Sequence, residues 1–147
     1  ANREDSPLGK MQIVSRFERP SHINRFFMID FGRIDHVLIC IPLGTRVAAR
    51  EFYGGKLKLK EIPGEHPNGA LWFAMGDAEL HIREEDTDSR LSGRHPAFEV
   101  NDLAGAKIFL QTQGIEISFS SVIEGRDRCF FRDPWGNRFE LIEFGLK

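Results

Sequence analysis

Five side chains in this chain have the types and the spacing of a cation site: His36, Glu79, His81, His95 and Glu140. His36 lies in an apolar, β-branched run at 34–41, and His95 opens a second run at 95–100. Glu79 and Glu140 each stand directly before a leucine, in Ala78-Glu79-Leu80-His81-Ile82 and in Phe139-Glu140-Leu141-Ile142. Both halves of the chain therefore open on a histidine and close on a carboxylate. A repeat of this length implies two copies of one supersecondary unit related by a pseudo-two-fold axis. Such an axis would bring the imidazoles and carboxylates towards one point, which is the chemistry of a divalent transition metal.

The first closing run is ambiguous in an instructive way. The local motif pairs Glu79 with Glu140. Spacing pairs His81 with Glu140, because His81 follows His36, and Glu140 follows His95, by 45 residues. Residues two apart share one strand face, about 6.8 Å apart along it, so both side chains point the same way. Glu140 alternates with Phe139 and Leu141, so it shares a face with Ile142 and Phe144, where an unpaired carboxylate would be costly.

The elements that must carry these residues are legible from period and punctuation. Strands are expected at 34–41, 57–60, 70–75 and 79–83 in the first repeat. A helix starts at Thr45 as N-cap, buries Val47, Ala48, Phe52 and Tyr53, and ends at Gly54-Gly55. Asn68-Gly69 and Gly76-Asp77 are turn signals, and 84–93 reads as the linker. The second repeat runs 95–100 as strand, then a helix capped by Asn101 or Asp102 that carries Leu103, Ala106 and Leu110 and stops at Gly114. Strands follow at 115–122, 128–131 and 138–144. Asp133-Pro134-Trp135-Gly136 has Pro and Gly where a type I turn wants them. The order is βαβββ twice, an α+β chain with mixed sheets.

Bulk properties exclude several classes. With 147 residues, 41% hydrophobic, the chain suits one compact domain at 33–147, made of 33–83 and 94–147. A net charge of −2 carries no electrostatic footprint for nucleic acid or an anionic membrane. No apolar run is long enough to span a bilayer, and the start lacks a secretory signal's apolar core. Cys40 and Cys129 sit inside strand-like runs and read as reduced core thiols, hence a cytoplasmic protein. Residues 1–32 fall outside the repeat. Their Ile13, Val14, Phe17, Phe26 and Phe27 suggest an arm that lies on a sheet edge or a partner subunit.

Other residues carry less. His22 and His66 fall in the extension and a loop and read as surface. Trp72, Phe73, Phe119, Phe130 and Phe131 read mainly as core, with one or two walling the site. Arg126 and Arg128 sit on a hairpin where charges are usually solvated, a grip on an anionic substrate being the alternative.

Taken together, the doubled βαβββ unit, the His36-Val37 strand opening, Phe52-Tyr53 late in the helix, the Asp133-Pro134-x-Gly136-Asn137 turn and the Glu140-Leu141 strand resemble the vicinal oxygen chelate superfamily. This is the glyoxalase/bleomycin resistance/dioxygenase superfamily, and the likeness covers 34–144. It implies two curled sheets forming a cup around a divalent ion (Zn, Ni, Co, Mn or Fe). It implies His36, His95 and Glu140 as ligands, with Glu79 completing the set and His81 beside it lining the pocket. It also implies a metal-dependent lyase/isomerase or extradiol-type dioxygenase, whose small substrate chelates the ion through adjacent oxygens, with Glu79 or His81 as catalytic partner. A homodimer that covers the sheet edges is expected. The other class to weigh is a metal-free drug-binding protein of the same fold. A third option, a fosfomycin-resistance enzyme, is disfavoured because the basic residue such enzymes use beyond the last glutamate is not evident before Lys147. No residue marks a glutathione pocket.

Overall fold

The computed structural model describes residues 29, 31–87 and 91–145, so almost all of the extension 1–32, His22 included, lies outside the described residues. The chain divides after Arg33, and the unit that follows begins at Ile34. Its elements are β1 (His36–Pro42), α1 (Arg46–Arg50) running into a π-helical turn (Glu51–Lys56), β2 (Lys60–Glu61), β3 (Leu71–Met75), β4 (Ala78–Glu85), β5 (Ala97–Glu99), α2 (Leu103–Thr112), β6 (Ile117–Ser118), β7 (Arg126–Arg132) and β8 (Arg138–Phe144). Each repeat builds one mixed four-stranded sheet, in the orders β1-β4-β3-β2 and β5-β8-β7-β6. This is the expected tandem βαβββ arrangement.

Both sheets use the same register. The first strand of each runs parallel to the last, with His36 opposite Glu79 and Ala97 opposite Glu140, and the last two strands pair antiparallel. Alternation then sorts the side chains. Val37, Ile39, Ile41, Leu71, Phe73, Leu80 and Ile82 from the first sheet share one hydrophobic cluster with Phe98, Phe131, Phe139 and Leu141 from the second. Ala49, Phe52, Tyr53 and Leu110 from the helical segments fill it. Each fully buried phenylalanine, such as Phe73 at 0% exposure, contributes about 1.5–3 kcal/mol. The opposite face of each sheet, with His36, Glu79 and His81 on one and Glu140 on the other, turns away from this core.

Several boundaries differ from expectation for identifiable reasons. The first helix does not stop at Gly54-Gly55. It widens into a π turn closed by Leu57 N–H donating to the Phe52 carbonyl at 2.9 Å, and this lets the adjacent Phe52 and Tyr53 both face the core. Val47 is 69% exposed, and Ala49 takes the buried place expected of Val47 and Ala48. Thr45 holds the N-cap position, its carbonyl accepting from Ala49 N–H, but its side chain makes no capping bond: the hydroxyl donates to the Pro42 carbonyl, and Glu84 of β4 accepts from the Arg46 N–H instead. The strand expected at 57–60 begins only at Lys60, as β2, because Lys58 takes a left-handed φ of 60° and breaks the extended run before it. The expected strand 115–122 shrinks to β6, leaving Phe119 65% exposed rather than in the core. β4 continues to Glu85, two residues into the expected linker.

Other local readings hold. Asp102 Oδ1 accepts from Gly105 N–H at 2.8 Å, and Gly114 is left-handed at φ 69°. Gly136 N–H donates to the Asp133 carbonyl at 3.1 Å, closing the turn. Both cysteines are free. Cys129 is buried as expected, whereas Cys40 is half-buried with its thiol donating to Glu85, so it is not a core residue. Among the described residues no helix is long and apolar enough to cross a membrane.

Candidate functional site

The first sheet gathers three of the five donor residues. His36 and Glu79 are direct neighbours across β1 and β4, and His81 follows Glu79 on the same face. His36 Nδ1 lies 3.0 Å from Asp35 Oδ2, so its Nδ1–H is given to a carboxylate and its Nε2 is left for the site. His81 Nε2 lies 2.8 Å from Glu79 Oε2, which binds the two candidates for one role into a pair. They line, with Asp35, Trp72 and Arg83, a cavity of about 470 Å³. His36 is 44% exposed at the rim, and His81 is nearly buried at 8%.

Sheet geometry explains how His81 is held. Trp72 of β3 stands directly opposite His81, and their rings stack at 3.9 Å. His36 stacks on His81 at 4.1 Å, and His66 stacks on Trp72 at 4.0 Å. The result is a row of four parallel rings across the sheet. His66 was expected on the surface. It is half-buried, anchored by Nε2 against the Ile62 carbonyl at 2.9 Å, and the three-residue turn Pro67–Gly69 brings it over Trp72. Trp72 therefore walls the cavity rather than filling the core.

The second sheet carries the other two donors. His95 precedes β5 and reaches back so that Nε2 lies 2.9 Å from Glu140 Oε2, while Nδ1 lies 2.7 Å from the Gly93 carbonyl. Both partners only accept hydrogen bonds when Glu140 is ionised. Each ring nitrogen of His95 therefore faces an oxygen acceptor, the Gly93 carbonyl on one side and the Glu140 carboxylate on the other. Glu140 is 5% exposed, and its other oxygen accepts from Arg128 Nη1 at 3.0 Å. Arg128 is thus not a solvated hairpin charge: it is 15% exposed and also donates to the Ser121 carbonyl. Arg126 stays at the hairpin, against Phe144. Phe130 is buried, with the Arg128 and Arg138 guanidinium groups over its ring.

The contacts bear on the alignment. His36–His81 and His95–Glu140 are both 45 apart in sequence, and both touch. By contact, then, His81 corresponds to Glu140; by local motif, Glu79 does.

Imidazole and carboxylate donors of this kind suit a divalent ion from Mn to Zn. Within one chain, however, they are divided between two faces on either side of the shared core. Among the described residues no three His, Cys, Asp or Glu side chains are grouped to hold an ion. A larger cavity, about 590 Å³, lies on the core side, lined by residues such as Val37, Phe98, Phe131 and Phe139, and none of the five donors lines it.

No protein-family model matches the chain, and comparison with curated proteins gives no match. Solved structures do match. A glyoxalase family protein of Bacillus anthracis is 34% identical, covers 80% of this chain and 100% of its own, and superposes with a TM-score of 0.72. A glyoxalase family protein of Enterococcus faecalis is 30% identical over 78% of this chain and 100% of its own, with a TM-score of 0.63. TnmS3, an antibiotic-binding protein of Streptomyces sp. CB03234, shares the fold at 16% identity, covering 80% of this chain and 100% of its own, with a TM-score of 0.63.

Proposed function

We propose, from the premise that this chain belongs to the glyoxalase family of the vicinal oxygen chelate superfamily, that it is a divalent-metal enzyme whose site forms between two copies of the chain. One copy would supply His36 with Glu79 and His81, and the other His95 with Glu140. The observation that carries this reading is the treatment of the two opening histidines. Each gives Nδ1 to an oxygen acceptor, Asp35 Oδ2 or the Gly93 carbonyl, and so keeps Nε2 for the site. Carboxylate and carbonyl partners of this kind fix ring orientation in metal-binding histidines.

Two faces that each hold part of a donor set, on opposite sides of one core, can be joined only by a second molecule. A two-fold axis would lay the first sheet of one copy against the second sheet of the other and create two sites per dimer. A bound ion would supply Lewis-acid polarisation of a substrate carbonyl or of adjacent oxygens. The chain's own residues do the rest. Glu79, 39% exposed beside the cavity, is positioned to take a proton from a substrate carbon next to the polarised oxygen, which is lyase or isomerase chemistry. If Glu79 serves only to orient His81, a set of two histidines and Glu140 suits Fe or Mn and extradiol-type oxygenation. The free thiols of Cys40 and Cys129 fit a cytoplasmic protein.

The test is elemental analysis of purified protein after exposure to Zn, Ni, Co, Mn and Fe. One ion per chain is expected, lost on His36→Ala, His95→Ala or Glu140→Ala with far-UV circular dichroism retained. No stoichiometric uptake from any of the five would overturn it. One observation favours a second reading, a metal-free small-molecule binder: both oxygens of Glu140 already have partners in Arg128 and His95.

A further inference from the structure

The second sheet's outward face is built for negative charge. Arg128, Arg132 and Arg138 alternate on it with Phe130, Glu140 and Ile142, and the carboxylates sharing the face are Glu140 and the exposed Glu99 at the strand edge. Arg132 is spent on structure, donating to the Gly136 and Ser92 carbonyls. Arg128 and Arg138 are different. Both guanidinium groups lie against the ring of Phe130, at 5.4 and 3.9 Å. Glu140 neutralises one of the two.

Among the described residues both guanidinium groups keep unused donors. Arg128 Nε is buried and has no hydrogen-bond partner among the described residues, a costly arrangement for a polar group. Arg138 makes one long hydrogen bond, 3.5 Å to the Gly93 carbonyl, and among the described residues no other hydrogen bond engages its guanidinium. A guanidinium held over an aromatic ring is attracted by the ring quadrupole, and its N–H donors remain able to receive a planar or tetrahedral oxyanion. Gly93 accepts from both Arg138 and His95, so this cationic edge lies beside the His95–Glu140 pair.

We propose that Arg138, backed by Arg128 on the Phe130 ring, binds an oxyanionic group of the substrate, a carboxylate or a phosphoryl group. This deepens the reading above, since it gives the charge of the molecule held in the same cup, and it rests on that reading only for the adjacent metal.

The test uses full-length, metal-free protein, so that loss of metal binding and loss of anion binding are read separately. Benzoate and phenylphosphonate are titrated calorimetrically at about 0.15 M salt, with phenol as the neutral analogue. Binding of either anion, with phenol at least tenfold weaker, is expected; which anion binds identifies the source of the charge. Arg138→Gln should weaken that binding about tenfold, and Arg138→Lys, which keeps the charge but loses the fork, should fall between. Arg126→Gln on the hairpin tip should leave it unchanged. Arg128→Gln also releases Glu140, so the Arg138 variants decide the matter. Failure of both anions to bind, equal binding of phenol, or equal loss in Arg126→Gln and Arg138→Gln would overturn the proposal. If anions bind as described and no ion is taken up, the metal reading falls and this one stands.

Discussion

The hydroxyl of Tyr53 donates to Asp133 Oδ2 at 2.7 Å, joining the two repeats across 80 residues of chain inside the shared core. Asp133 is the hub of its turn: its carboxylate also accepts from the backbone N–H groups of Trp135 and Asn137 and from Asn137 Nδ2. Asn137 in turn donates to the Cys40 carbonyl of β1. The turn motif is therefore a bolt between repeats as well as a reversal within one. Tyr53→Phe removes one donor from a buried carboxylate and should lower unfolding free energy by about 1–3 kcal/mol in urea denaturation. A change below a few tenths would show that the bond contributes nothing net.

The same pair sets an alkaline limit. Burial, then the Asp133 charge and hydrogen bond, hold the Tyr53 phenol well above its usual value of about 10. Below that value tyrosine is neutral in both states and the stabilisation is complete. Above it the unfolded chain releases the proton while the folded one keeps it, so stability drains away as pH rises towards the folded value. Denaturation midpoints at pH 8 and 11 should fall further for the wild type than for Tyr53→Phe. Parallel losses in the two proteins would refute this.

A site shared between copies makes a distinctive prediction for mixtures. His36→Ala and Glu140→Ala should each bind no ion as homodimers. Co-refolded together, they form heterodimers with one wholly mutant and one wholly wild-type site, and metal should return to about one ion per heterodimer. A site built within one chain would stay dead in every combination. Sedimentation of the wild type at micromolar concentration should give a dimer.

Glu79 and His81 can be told apart. If Glu79 is the ligand and base, Glu79→Gln should cost little affinity but abolish proton transfer, while His81→Ala keeps the metal. If His81 is the ligand, His81→Ala loses the metal and Glu79→Gln weakens it about 10- to 100-fold by freeing the imidazole's orientation. Metal titration of both variants checks this, and silence from both would exclude β4 from the site.

Much of this was readable from residues that act locally. The two βαβββ units, the Asp102 cap, the Gly114 terminus and the Asp133 turn all follow from period and turn chemistry. Alternation alone set Glu140 on the face away from Phe139 and Leu141, where it lies. What escaped depends on partners distant in sequence. Nothing near Arg128 announces Glu140, 12 residues on, as its ion pair. His66 sits in a Gly/Pro loop with no period, so only the folded sheet reveals that it covers Trp72. The π turn escaped because Gly54-Gly55 is an ordinary stop signal, overridden by the gain from burying two adjacent aromatic rings.

The ring row on the first sheet gives the protein a built-in optical reporter. Its two indoles stand in unlike surroundings: Trp72 is clamped between imidazoles at 3.9 and 4.0 Å, and Trp135 packs against the core. An excited indole passes an electron to an imidazole at van der Waals contact, more readily when the ring is protonated, so Trp72 should be the dim emitter of the pair. Whatever draws His81 off the stack would brighten it. Occupancy of the first sheet's cavity could then be followed as fluorescence from the native chain, with Trp72→Phe as the blank, no label attached and no knowledge of the substrate required.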